Sequence, residues 1–204
     1  MTVEPLLIAT RSAGKLRELR ELFARAGLSV IDLEEAGVPE RDEEENLETA
    51  DTFEGNALAK AHYFARVTGR AVVADDSGLE VAALGGRPGV RSKRWSGRTD
   101  LSGESLDGAN NARLLEELRG RTSREARYVC VAAFVDGDVA LTSRGTTSGV
   151  ILEEPRGGGF GYDPYFLSDE LGETFGEATV EEKERVSHRG RAFRALVSAL
   201  LQRR

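Results

Sequence analysis

The sequence predicts an α/β fold, a mixed β-sheet with helices on its faces, from three observations. Short apolar runs alternate with amphipathic helical patterns in the first part of the chain, an arrangement that gives parallel strands joined by helices. Further on, two apolar strands flank Asp136-Gly137-Asp138, a hairpin signal that adds antiparallel pairing. The chain has 204 residues, 40% of them hydrophobic, which suits a single domain (1–204) with a real core.

The elements follow in order. Leu6-Leu7-Ile8-Ala9 reads as a buried strand. Thr10 to Gly14 is a turn. A helix follows, with Leu16, Leu19, Leu22, Phe23 and Ala26 on one side and Gly27 as its stop. Ser29 to Leu33 is a second strand, and the acidic stretch 34–51 reads as a solvated loop. A second helix runs from about Thr52 to Val67, opened by Asp51 and Glu54 and closed by Gly69. Ala71-Val72-Val73-Ala74 is a buried strand that ends in Asp75-Asp76-Ser77-Gly78, which is turn chemistry. Residues 85–103, rich in Gly, Arg and Ser, read as a loop, and a helix covers about 106–119. The hairpin strands are Tyr128 to Val135 and Val139 to Thr147, the first apolar on both faces and so central. Arg156 to Pro164 is a glycine-rich loop, and Thr179-x-x-Glu182 is a capping box for a short helix. The last helix starts near Ser187, with Phe193, Leu196, Val197, Leu200 and Leu201 at i, i+3, i+4, i+7 and i+8.

Composition narrows the function classes. The formal net charge of −7 argues against broad binding to nucleic acid or anionic membranes, while leaving room for one small anion in a locally basic pocket. No apolar run approaches the ~20 residues of a membrane span, and Met1 to Thr10, with no basic n-region and no long apolar core, is not expected to act as a signal peptide. The lone Cys130 permits no intrachain disulfide, and a cytoplasmic location is expected. His62 and His188 are the only histidines, too few for a histidine zinc site.

Five segments carry candidate chemistry. Thr10-Arg11-Ser12-Ala13-Gly14-Lys15 joins a strand to a helix, where free N–H groups and the helix dipole attract phosphate. It is not a P-loop, since Ala9 and Leu16 stand where that motif needs Gly and Ser or Thr. Asp75 and Asp76 are adjacent on a strand and so point to opposite faces; one is expected to serve a site and the other the structure. A carboxylate at the carboxyl end of a strand is well placed for magnesium. Glu43-Glu44-Glu45 with Glu48 and Asp51 is mostly a solvated face, with Glu48 the preferred metal oxygen because it precedes the second helix. Gly157 to Pro164, with Phe160, Gly161, Tyr162 and Asp163, suits a loop that lays a ring on a planar base while Asp163 accepts base N–H groups. Lys183 and Ser187-His188-Arg189-Gly190 bring polar donors to a second helix start.

Six motifs occur in one order: Thr10–Lys15, Thr52-Phe53-x-x-Asn56-Ala57-x-x-Lys60-Ala61, Ala74-Asp75-Asp76-Ser77-Gly78-Leu79, Gly85-Gly86-x-Pro88-Gly89-Val90, Gly159–Pro164 and Ser187-His188-Arg189-Gly190. Together they resemble the non-canonical purine NTP pyrophosphatase family, also called the inosine triphosphate pyrophosphatase or XTP/dITP diphosphatase family. The resemblance runs from about residue 6 to 200. It implies an elongated mixed sheet with helices, two lobes around a substrate groove, and a homodimer. It also implies cleavage of a nucleoside triphosphate such as ITP, dITP or XTP between the α and β phosphates, with Mg2+ as cofactor. Asp76 matches the family's general base and metal-site aspartate, and Glu48 the acidic residue near the metal. Thr10, Arg11, Ser12, Ala13, Gly14 and Lys15 match the phosphate-binding turn. Ser77, Phe160, Gly161, Tyr162, Asp163, Lys183, His188 and Arg189 match the remaining substrate contacts. The family usually has Asn where this chain has Ser12, a shorter side chain that still donates and accepts. Two rival readings are the septum-associated nucleotide pyrophosphatases, whose Ser-x-x-Arg-Arg type opening residues 10–15 lack, and an RNA-binding module using the Arg87–Arg98 loop, which the acidic balance disfavours.

Overall fold

The first strand, β1 (Leu6–Ile8), passes through Ser12, whose Oγ caps the next helix by accepting from Lys15 N, into α1 (Ala13–Arg25). Then come β2 (Val30–Asp32), α2 (Phe53–Thr68), β3 (Val72–Val81), α3 (Gly103–Leu118), β4 (Glu125–Asp136), β5 (Val139–Ile151), β6 (Phe166–Ser168), α4 (Val180–Val186) and α5 (His188–Leu201). These come from a computed structural model that describes residues 4–203, the side chain of Glu45 excepted. Met1–Val3 of the N-terminal reading and the Glu45 carboxylate of the acidic run lie outside the described residues.

Among the described residues one mixed sheet runs in the order β2-β1-β3-β4-β5-β6. β1 pairs in parallel with β2, Leu7 opposite Ile31, and with β3, Leu7 opposite Val72, a pairing that the helical connections α1 and α2 allow. β5 pairs antiparallel with β6 in the register Gly149 to Ser168. That register needs glycine, because a Cβ at 149 would lie 2.2 Å from Leu167 O.

Two sequence expectations need correction, and one strand was not foreseen. Asp75-Asp76-Ser77-Gly78 is not a turn but the middle of the ten-residue strand β3. Local turn propensity yields here to tertiary partners, since both carboxylates are buried and bonded. β6 went unseen because three residues carry no readable period. Short 3-10 helices at Asp42–Asn46 and Gly89–Arg94 stand inside two stretches expected to be irregular. The hairpin, the Thr179 capping box and the closing helix were all legible; Thr179 Oγ1 accepts from Glu182 N while Glu182 reaches back to Thr179 N.

Two compact units divide the chain. Unit 1 holds 1–76, 130–145 and 189–204; unit 2 holds 77–129 and 146–188. Each has its own core. Unit 1 gathers Ile8, Leu19, Phe23, Val73, Cys130, Phe193 and Leu196. Unit 2 gathers Leu79, Trp95, Leu114, Tyr128, Tyr162, Phe166 and Phe175. Two of the four divisions fall between Asp76 and Ser77 and between His188 and Arg189, so two of the sequence motifs contribute residues to both units.

Candidate functional site

Unit 1 builds a carboxylate centre on β3. Asp75 is 1% exposed and its Oδ2 meets Lys15 Nζ at 3.0 Å and Arg189 Nε at 3.4 Å. Burial alone would push this carboxyl up, but Lys15, Arg189 and Lys60 outweigh it and hold Asp75 far below the ordinary range. Arg189, from the first turn of α5, also donates through Nη1 to Glu18 Oε2 at 2.6 Å. One buried guanidinium thus bridges α1 and β3.

The neighbouring Asp76 belongs to a different set, as strand alternation requires. Its Oδ2 accepts from Asn56 Nδ2 at 2.8 Å, and Asn56 Oδ1 accepts from Ala50 N at 2.8 Å. Burial pushes the Asp76 carboxyl up, Lys15 opposes this, and Glu48 adds to it. The charge of Glu48 therefore reaches Asp76. Glu48 is itself held by Lys60, one helical turn beyond Asn56 on α2, whose Nζ also donates to Asp75 O at 3.0 Å. The approach of this loop to α2 depends on Gly55, where a Cβ would lie 2.8 Å from the Ala50 methyl.

The turn before α1 is divided in use. Thr10 Oγ1 accepts from Ser12 N, and Ser12 caps the helix. Ala13, Gly14 and Lys15 form the first turn of α1, with Lys15 directed to Asp75. Arg11 spends its fork elsewhere, donating twice to Glu44 at 3.0 and 2.7 Å and once to Val38 O at 3.0 Å. The acidic run is therefore partly a partner for Arg11, not wholly a solvated face.

Unit 2 builds an aromatic and cationic set. Lys183 Nζ donates to Asp163 Oδ2 at 2.6 Å and sits 4.6 Å above the Phe160 ring. Tyr128 donates to the other Asp163 oxygen at 3.4 Å and stacks on His188, centroids 4.4 Å apart and 6° from parallel. Phe175 lies parallel to the same pair. Thr147 Oγ1 donates to Val186 O at 2.6 Å, fixing the end of α4 just before Ser187 and His188. Ser77, half-buried, opens the unit 2 part of β3.

Sequence reasoning assigned no role to Asn56, Lys60, Glu18, Tyr128 or Phe175. Asn56 and Lys60 left a usable signal, since an amide and an ammonium four residues apart share one face of a helix that otherwise buries apolar groups. Glu18 and Tyr128 left none, because their partners are distant in sequence.

A protein-family model described as the Ham1 family matches residues 6–199. The chain belongs to the Ham1 family. A Frankia alni relative named dITP/XTP pyrophosphatase is 49% identical over 199 residues, covering 96% of this chain and 96% of that one. Solved structures of similar proteins agree with the fold. A HAM1 protein from Coxiella burnetii superposes with a TM-score of 0.82 at 34% identity, covering 98% of this chain and 100% of that one. A nucleoside-triphosphatase / dITP/XTP pyrophosphatase from Mycobacterium abscessus gives 0.71 at 42% identity, covering 97% and 100%. The mixed α/β sheet expected from sequence is thus the Ham1 fold. No helix among the described residues is long and apolar enough to cross a membrane.

Proposed function

We propose that this chain hydrolyses non-canonical purine nucleoside triphosphates, ITP, dITP and XTP, to the nucleoside monophosphate and pyrophosphate. The role is to keep abnormal purines out of DNA and RNA in the cytoplasm. The whole chain, 1–204, acts as one pyrophosphatase domain, and two copies form a homodimer. The observation that carries this reading is Asp76, a carboxylate 5% exposed, braced by Asn56 and lying in the field of Lys15 and Glu48. The names of the relatives support it.

Unit 1 takes the triphosphate. Lys15 and the first N–H groups of α1 answer its negative charge. Asp76 accepts the proton of the attacking water, and Asn56 fixes which carboxylate oxygen faces away from it. Arg189 and Lys15 together keep Asp75 ionised, so that Lys15 stays in position between a protein anion and the phosphates.

The donor set suits magnesium. Asp76 and Glu48 are two hard oxygen donors, the number that magnesium takes when phosphate oxygens and water supply the rest. When bound, the ion neutralises phosphate oxygens and orients water.

Unit 2 takes the base. Phe160 offers a ring face, and Lys183 and His188 offer donors to a 6-oxo group. The deciding experiment is a panel of ITP, dITP, XTP, GTP and ATP, with pyrophosphate and orthophosphate measured separately. ITP, dITP and XTP release pyrophosphate, and excess EDTA stops the reaction. Orthophosphate as the direct product, or turnover that survives EDTA, overturns the reading. Light scattering that returns the mass of one chain at every concentration removes the homodimer.

A further inference from the structure

Helix α3 contributes nothing to either set above, yet two of its side chains take both backbone polar groups of one loop residue. Asp107 Oδ2 accepts from Gly161 N at 2.7 Å, and Asn111 Nδ2 donates to Gly161 O at 2.8 Å. Asp107 and Asn111 are four residues apart and so share one helix face. Asn111 Nδ2 also donates to Asp107 O at 2.9 Å, which fixes the amide relative to its neighbour. The gripped residue has φ +64°, a left-handed conformation that a non-glycine residue rarely adopts. From the next residue, Tyr162 donates its hydroxyl to Ser92 O at 2.8 Å. The loop is therefore held on both sides of the Gly161–Tyr162 peptide.

What the loop carries gives the grip its meaning. Phe160 precedes Gly161 and lies under Lys183 Nζ; Asp163 follows two residues later and binds that same ammonium. A shift of Gly161 moves the ring and the carboxylate together.

A second observation points away from mere packing. Asn111 is 7% exposed, and its Oδ1 has no hydrogen-bond partner among the described residues. An unsatisfied buried acceptor costs free energy that an apolar side chain of similar size does not. Asn111 is thus a poor choice for stability alone, and its value lies in the donor edge turned to Gly161 O.

We propose that Asp107 and Asn111 are positioning residues for purine recognition, holding the Phe160–Asp163 loop at the height and tilt that the base requires. This rests on the reading that unit 2 takes the base. Neither residue touches substrate; both act through Gly161.

The test uses the full-length enzyme with Asn111→Leu, Asp107→Ala and Asp107→Asn. Competitive inhibition by IMP, which has the base, is compared with inhibition by inorganic tripolyphosphate, which has none. Asn111→Leu and Asp107→Ala raise KM for ITP and Ki for IMP by roughly tenfold, the loss of about one hydrogen bond's alignment. Ki for tripolyphosphate and kcat stay within about threefold. Asp107→Asn keeps an acceptor oxygen for Gly161 N and restores both constants. Equal weakening of IMP and tripolyphosphate, or a lower melting temperature with KM and Ki unchanged, makes the two residues structural and overturns the proposal. Failure of the wild-type protein to release pyrophosphate from ITP is a separate result and strikes the pyrophosphatase reading itself.

Discussion

Asn56 joins two parts of unit 1 through one amide: its Nδ2 donates to Asp76 Oδ2 and its Oδ1 accepts from Ala50 N, both at 2.8 Å. The amide favours the ionised form of Asp76, against the burial that raises its pKa. Asn56→Ala removes that support. The acid limb of kcat/KM then moves to higher pH, while the alkaline side is unchanged. A pH–rate profile of the two proteins checks the direction; a limb that stays or moves down removes Asp76 as the proton acceptor.

Asp76→Asn and Asp75→Asn separate chemistry from structure. On the proposed reading Asp76→Asn loses a proton acceptor and a metal oxygen, so turnover falls by at least about a hundredfold. Its melting temperature at pH 7 holds or rises, because a carboxylate whose pKa burial has raised disfavours the fold when ionised. Asp75→Asn instead melts lower, since Lys15 and Arg189 lose their shared anion. Calorimetry beside a pyrophosphate assay reads both, and normal turnover in a well-folded Asp76→Asn would defeat the assignment.

Acid stability follows from the same pair. Asp75 is held far below the ordinary range, so its contribution is fully present above about pH 4, the usual aspartate value, and drains as the pH falls below it. Denaturant melts between pH 6 and 2 should show a decline below that point that is shallower in Asp75→Asn, where the other lowered carboxyls, such as Asp32, still contribute. Arg189→Met removes the guanidinium that Glu18 and Asp75 share, leaving Asp75 to Lys15, and costs about 3–5 kcal/mol at neutral pH. A loss under about 1 kcal/mol would mean that the triad is dispensable to the fold.

Selectivity tests the unit 2 set. The Lys183 ammonium has donors and no acceptor, which matches the 6-oxo group of hypoxanthine and opposes the 6-amino group of adenine. One or two unsatisfied buried groups at about 1–3 kcal/mol each slow ATP by about ten- to ten-thousand-fold against ITP. Lys183→Met combined with Asp163→Asn, which leaves no lone buried carboxylate, narrows that ratio. The measurement is kcat/KM for ITP and ATP, and equal rates on the wild type refute the donor argument.

Much of this was readable from sequence because it was local. The α1 stripe, the Gly69 stop, the Thr179 box and the turn at Gly137-Asp138 each depend on neighbours within a few residues. The triad of Glu18, Asp75 and Arg189 depends on partners up to 171 residues apart, and no period encodes that. The same distance effect misled the reading of Asp75-Asp76-Ser77-Gly78, whose turn composition is overruled by Lys15, Asn56 and Arg189. Arg11 offers the opposite lesson: it sits in the right turn, yet its fork is committed to Glu44.

Cys130 lies on β4, wholly buried, with Sγ 3.8 Å from Asp75 Oδ2. Burial, and then the Asp75 charge, push its thiol well above the ordinary range, so neither access nor ionisation favours reaction with an alkylating reagent while unit 1 is closed. The chain thus has one built-in chemical clock at the heart of its carboxylate centre. Its rate of modification in native buffer times the opening of that core, and any ligand that tightens unit 1 slows the clock without a label having to be engineered.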